Sequence, residues 1–137
     1  MAVIEKILQI NDDNTLSFGN YVAKEKQKIS DVSFNEDLYK CKTHTDVTRL
    51  EKNEKFLIET VPGATIHNFN YDLEKVTFNI EGYKDTKVTV ELLENQTYTI
   101  IVEGENLGIE KTNMSGKLSF SRELLNSAIS VEITKRD

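Results

Sequence analysis

The stretch YTIIVEGENLGIEKTNMSGKLSFS, residues 98–121, decides the fold. Its apolar residues recur at every second position: Tyr98, Ile100 and Val102, then Leu118 and Phe120. Successive side chains of a strand point to opposite faces, so this spacing predicts strands with one buried face. Between the runs stand Gly104 with Glu105 and Asn106, and Asn113 to Gly116. Glycine and asparagine tolerate the positive φ that tight turns require. The expectation is three strands joined by two β turns.

The same period extends outward on both sides. Val76, Phe78 and Ile80 alternate with polar residues, as do Val88, Val90 and Leu92, and Ile129, Val131 and Ile133. Strands spaced about ten residues apart mark an antiparallel sandwich or barrel. Toward the start, TLSFGNY, DLYKCKT, DVTRLEK and KFLIETV each suit a short strand, with turn points at Gly19, Asn35–Asp37 and Asn53. Pro62 before Gly63 predicts a type II turn with Gly63 left-handed. Residues 3–10 fit a helical face or a strand, and their β neighbours favour the strand. SRELLNS allows a single helical turn capped by Ser121.

The expected class is all-β: an antiparallel β-sandwich-like fold of two small packed units, residues 1–70 and 71–137. The segment HNFNYDLEK, residues 67–75, is the expected joint.

The C-terminal half resembles the small β-sandwich accessory modules that stand beside bacterial carbohydrate-active enzymes. The resemblance covers residues 74–134 and rests on Tyr98, Ile100, Val102, Gly104, Gly108, Asn113, Gly116, Leu118 and Phe120. The whole chain resembles short all-β proteins of Gram-positive anaerobes, some described as endosialidase-like. Sialidases of the familiar type hold the substrate carboxylate with an arginine cluster on a large propeller. This chain has 137 residues and only Arg49, Arg122 and Arg136. What the resemblance implies is a glycan- or protein-binding role, with Tyr21, Tyr39, Tyr71 and Tyr83 as ligand-contact aromatics. There is no tryptophan to supply a stacking platform.

Charge narrows the classes further. The net charge is −6, with 9 basic and 11 acidic side chains in residues 1–60 and 8 and 12 in the remainder. Nucleic-acid binding requires a basic patch. The nearest candidate, Lys24, Lys26 and Lys28 in KEKQK, suits an edge strand protected by lysines. No nucleic-acid partner is expected. No apolar run is long enough for a membrane span. The start MAVIEKILQINDD carries Glu5, Lys6 and Gln9 where a signal peptide would be apolar. With Cys41 as the sole cysteine, a cytoplasmic location is expected, the alternative being a cell or spore surface reached without a signal peptide.

The chemistry-bearing residues are few. His44 and His67 are the only histidines, and Cys41 and His44 fall on opposite faces of a strand. No second ligand pair completes a zinc site. NDDNT, residues 11–15, has calcium-like oxygens without the full ligand spacing, and reads as an Asn/Asp turn. No catalytic residue, metal or cofactor is expected. The protein reads as a non-catalytic structural or self-associating β protein, its partner itself or another protein. The run Phe56, Leu57 and Ile58 in KFLIETV is the expected buried or partner-paired strand, and so the candidate for self-association, because it is apolar on both faces.

Overall fold

The computed structural model describes residues 7–125 and 127–136. Thirteen strands make up the fold, with no helix among the described residues. They are β1 (Leu8–Ile10), β2 (Leu16–Phe18), β3 (Gln27–Phe34), β4 (Asp37–His44), β5 (Val47–Lys52), β6 (Lys55–Val61) and β7 (Thr65–Tyr71). Then come β8 (Lys75–Glu81), β9 (Asp85–Glu91), β10 (Thr97–Val102), β11 (Glu105–Lys111), β12 (Lys117–Glu123) and β13 (Ile129–Lys135). Of the ambiguous residues 3–10, Leu8–Ile10 form β1, and 3–6 lie outside the described residues.

The strands form two antiparallel sheets. One runs β1-β2-β7-β8-β13-β10-β11 and the other β12-β9-β6-β5-β4-β3. The expected antiparallel, sandwich-like all-β fold is what the chain adopts. The boundary expected at residue 70 falls inside β7, and each sheet takes strands from both sides of it. The expected joint is an ordinary hairpin turn, closed by mutual backbone bonds between Asp72 and Lys75.

Alternation decides what is buried. Val76, Phe78, Ile80, Val88, Val90, Tyr98, Ile100, Val102, Leu118 and Ile133 all lie in one core with Phe18, Leu50, Ile58 and Ile66. Each large apolar side chain buried this way is worth about 1.5–3 kcal/mol. Tyr98 is fully buried yet satisfied, because its hydroxyl donates to the Leu73 carbonyl and accepts from the Leu93 amide. Phe69 holds one end of the core together, edge-on to Phe18 and close to Phe78.

Three hairpins close with two-residue turns whose central residues both have positive φ: Asn35–Glu36, Asn53–Glu54 and Glu103–Gly104. That geometry matches the right-handed twist of the flanking strands. The expected second hairpin, at Asn113–Gly116, is a different object. It carries the chain from β11 at one edge of the first sheet to β12 at one edge of the second.

Two further expectations are corrected. Gly63 is not left-handed, and the Val61–Pro62 peptide is cis. Glycine stands there for close approach, since a Cβ would lie 2.0 Å from the His44 carbonyl oxygen. Within SRELLNS, of which Asn126 lies outside the described residues, Ser121–Glu123 form no helical turn but belong to β12 and pair with β9. The sheet supplies those residues with backbone partners that one isolated helical turn lacks. No helix among the described residues is long and apolar enough to cross a membrane.

Candidate functional site

The expected self-association strand is already occupied. β6 lies between β5 and β9, so both of its edges are paired. The register with β5 shifts beside Leu57: Phe56 faces Glu51, and Ile58 faces Leu50. That extra residue lets Leu57 and Ile58 both point into the core. Phe56 points outward, under the Arg49 guanidinium at 5.0 Å and the Lys117 ammonium at 4.8 Å. The apolar triplet records a β-bulge, not a docking strand.

The four tyrosines fall into two pairs at opposite ends of the β7–β8 ladder. Tyr39 and Tyr71 border a cavity of about 140 Å³ with Lys52 and Phe69. Tyr39 is buried beside Phe34, and the half-buried Tyr71 donates its hydroxyl to the Glu91 carbonyl. Tyr21 is also buried, with Tyr83 packed 5.6 Å away. Only Tyr83, 39% exposed, matches the expectation of exposed aromatics. Tyr21 serves the core because its bond to Glu81 offsets the cost of burying its hydroxyl, and Tyr39 because its ring packs on Phe34.

Cys41 is fully buried, not half-buried as its strand position suggests, and burial pushes its thiol up to about 12. His44 is on the opposite face of β4, as the spacing predicts, with no group of three metal-ligating residues among the described residues. The Asn11–Thr15 oxygens are used internally, with Asn11 donating to the Thr15 and Ser17 hydroxyls.

His67 lies on β7 and belongs to a trio that the sequence does not reveal. Its Nε2 lies 3.1 Å from Oε1 of Glu81, whose Oε2 accepts the Tyr21 hydroxyl at 3.0 Å. Glu81 is fully buried under the segment that connects β2 to β3. Burial and the Glu81 carboxylate raise the Tyr21 phenol to about 12. With Glu81 fully buried, the trio ties the 19–26 segment to the sheet. The same segment is pinned to β4 and the turn after it by Asn20 to Thr43 and Thr45 to Ala23 bonds.

Two surface features remain, one at each edge of the six-stranded sheet. At the β3 edge, Lys28 is the cross-strand partner of Lys42, Lys42 of Arg49, and Arg49 of Glu59. Together with Lys26, Gln27, His44 and Val47 these residues line a groove of about 310 Å³. Arg49 is 3.5 Å from Glu59 and 4.0 Å from Glu51. Lys26, Lys28 and Lys42 have no carboxylate within salt-bridge distance among the described residues.

At the other edge, all seven residues of β12 pair with β9 without a shift. Asn113 takes up both the amide and the carbonyl of Lys117, on the side away from β9. Backbone groups alternate sides along an antiparallel strand, so those of Ser119, Ser121 and Glu123 face outward with no strand beside them. All three residues are exposed.

No protein-family model, curated protein or solved structure matches this chain.

Proposed function

We propose that this protein is a non-catalytic β-sandwich that pairs with a second copy of itself through β12. The observation that carries the reading is the self-complementarity of KLSFSRE, residues 117–123. Laid antiparallel on itself about Phe120, the strand sets Lys117 of one copy against Glu123 of the other, twice. Ser119 then faces Ser121, and Phe120 faces Phe120. Opposite charges and like aromatics across strands each stabilise a sheet by roughly 0.2–1 kcal/mol. The outward backbone groups of Ser119 and Ser121 supply the ladder bonds, and a two-fold axis closes the assembly at a dimer. Of the usual edge protections, β12 lacks a bulge against β9 and a proline.

Sedimentation equilibrium across a concentration series tests this. The expected mass moves from 15.7 kDa toward twice that value. Lys117→Glu and Glu123→Lys should each weaken association at least about tenfold, the equivalent of 1.4 kcal/mol. The double exchange, which restores opposite charges, should recover it. Ser121→Pro removes an outward amide without touching the β9 ladder and should give a folded monomer by circular dichroism. A chain that stays monomeric up to about 1 mM, where association is worth roughly 4 kcal/mol, defeats the proposal. So does a dimer indifferent to all of these changes.

A further inference from the structure

We infer that the groove at the β3 edge binds a compact ligand carrying two phosphate or sulfate groups. Like charges placed directly opposite each other across strands destabilise a sheet. Here three cations, Lys28, Lys42 and Arg49, stand side by side on three neighbouring strands of a chain whose net charge is −6.

Protection of the sheet edge explains Lys28, which sits on the edge strand. It does not explain Lys42 and Arg49, which lie on the interior strands β4 and β5. Their side chains point to the outer face, where neutral β-forming residues would serve the fold without repulsion. An anion seated among them removes that repulsion. Arg49 is also held in place, over the Phe56 ring and between Glu51 and Glu59. A pre-positioned guanidinium loses little freedom when it takes a ligand oxygen.

The dimensions limit the ligand. Neighbouring strands are about 4.8 Å apart, so Lys28 to Arg49 spans roughly 10 Å. His44 lies two residues further along β4, roughly 7 Å away, and Lys26 stands just before β3 at the same end. A diphosphate or a doubly sulfated sugar fits that rectangle. The net charge of −6 disfavours a long polyanion. No aromatic side chain lines the groove, so bases find no stacking partner.

The test is a titration of the isotope-labelled protein with pyrophosphate at 150 mM salt, following the amides of Lys28, Lys42, His44 and Arg49. Parallel titrations use orthophosphate, a disulfated disaccharide and an eight-residue oligothymidylate. Pyrophosphate or the disaccharide should saturate, at least tenfold more tightly than orthophosphate, and the tighter of the two assigns the ester. Lys42→Glu should lose at least tenfold, while Lys87→Glu, on the exposed face of β9, should bind normally. The inference is overturned if neither probe saturates, if orthophosphate binds equally well, or if Lys42→Glu binds as before. Tighter binding of the oligothymidylate would also overturn it, by making nucleic acid the ligand class.

Discussion

The two edges of the six-stranded sheet solve one problem in opposite ways. β3 carries Lys28, and its register with β4 shifts between Ile29 and Val32, where Asp31 adopts φ 59°. A charge and a bulge keep other strands from docking there. β12 runs straight beside β9, and in the proposed dimer its terminal charges would oppose each other. On that proposal, ladder continuity and charge order mark the associating edge, and hydrophobicity does not.

The edges also differ in how the chain delivers them. β12 follows a tight turn ending at Gly116, whereas β3 follows the long 19–26 segment anchored by Tyr21 and Glu81. The largest expected effect is on the β12 side. Gly116 has φ 80°, and a Cβ there would sit 2.2 Å from the Leu92 carbonyl oxygen. Gly116→Ala should cost about 3–4 kcal/mol, combining left-handed strain with overpacking. Calorimetry should show a melting temperature lowered by roughly 10 °C.

The β3 side gives the next largest effect. Glu81→Ala leaves the Tyr21 hydroxyl and His67 without their shared acceptor and should cost about 2–3 kcal/mol in urea unfolding. Tyr21→Phe removes only the hydroxyl, but it leaves the buried Glu81 carboxylate short of a donor, so a loss of about 1–2 kcal/mol is expected. Neither change touches β12, so self-association of the folded fraction should persist. Loss of association by a folded Glu81→Ala protein would show that the two edges are coupled.

Held to pH 9.5, alkaline destabilisation is the smallest of these effects, about 1 kcal/mol. Folding holds the protons of Cys41 and Tyr21 to about pH 12, whereas the unfolded chain releases them near 9 and 10. Between those limits the unfolded state binds fewer protons, so stability falls as pH rises. The loss approaches about 1.4 kcal/mol per group for each pH unit. Both groups sit on the β3 side of the sheet. Hydrogen exchange at pH 9.5 should therefore find β4 amides losing protection before those of β9 and β12.

Much of this fold can be read from local pattern. Period-two spacing marks β8, β9, β10, β12 and β13 and their buried residues, Tyr98 and Leu118 among them. Asn35 and Asn53 marked their turns because two-residue hairpins need positive φ. What pattern misses depends on partners distant in the chain. The Phe56–Leu57–Ile58 run looks two-faced until its register against β5 reveals the bulge. Tyr21 looks available for a ligand until Glu81, 60 residues away, claims its hydroxyl. The Lys28–Lys42–Arg49 row is invisible in the sequence, since its members become neighbours only across strands. Of the basic row, the sequence offered only Lys28, as part of KEKQK.

The position of β13 sets the order in which this protein can be made. It lies between β8 and β10 in the seven-stranded sheet, although its residues follow both in the chain. Until residues 129–135 emerge from the ribosome, that sheet exists only as two fragments, β1-β2-β7-β8 and β10-β11, each with an open seam. Such long-range closure is slow, on the order of milliseconds to seconds for sandwich topologies. A nascent chain halted near residue 125 would show its unpaired β8 and β10 edges to chaperones and to its neighbours on the polysome.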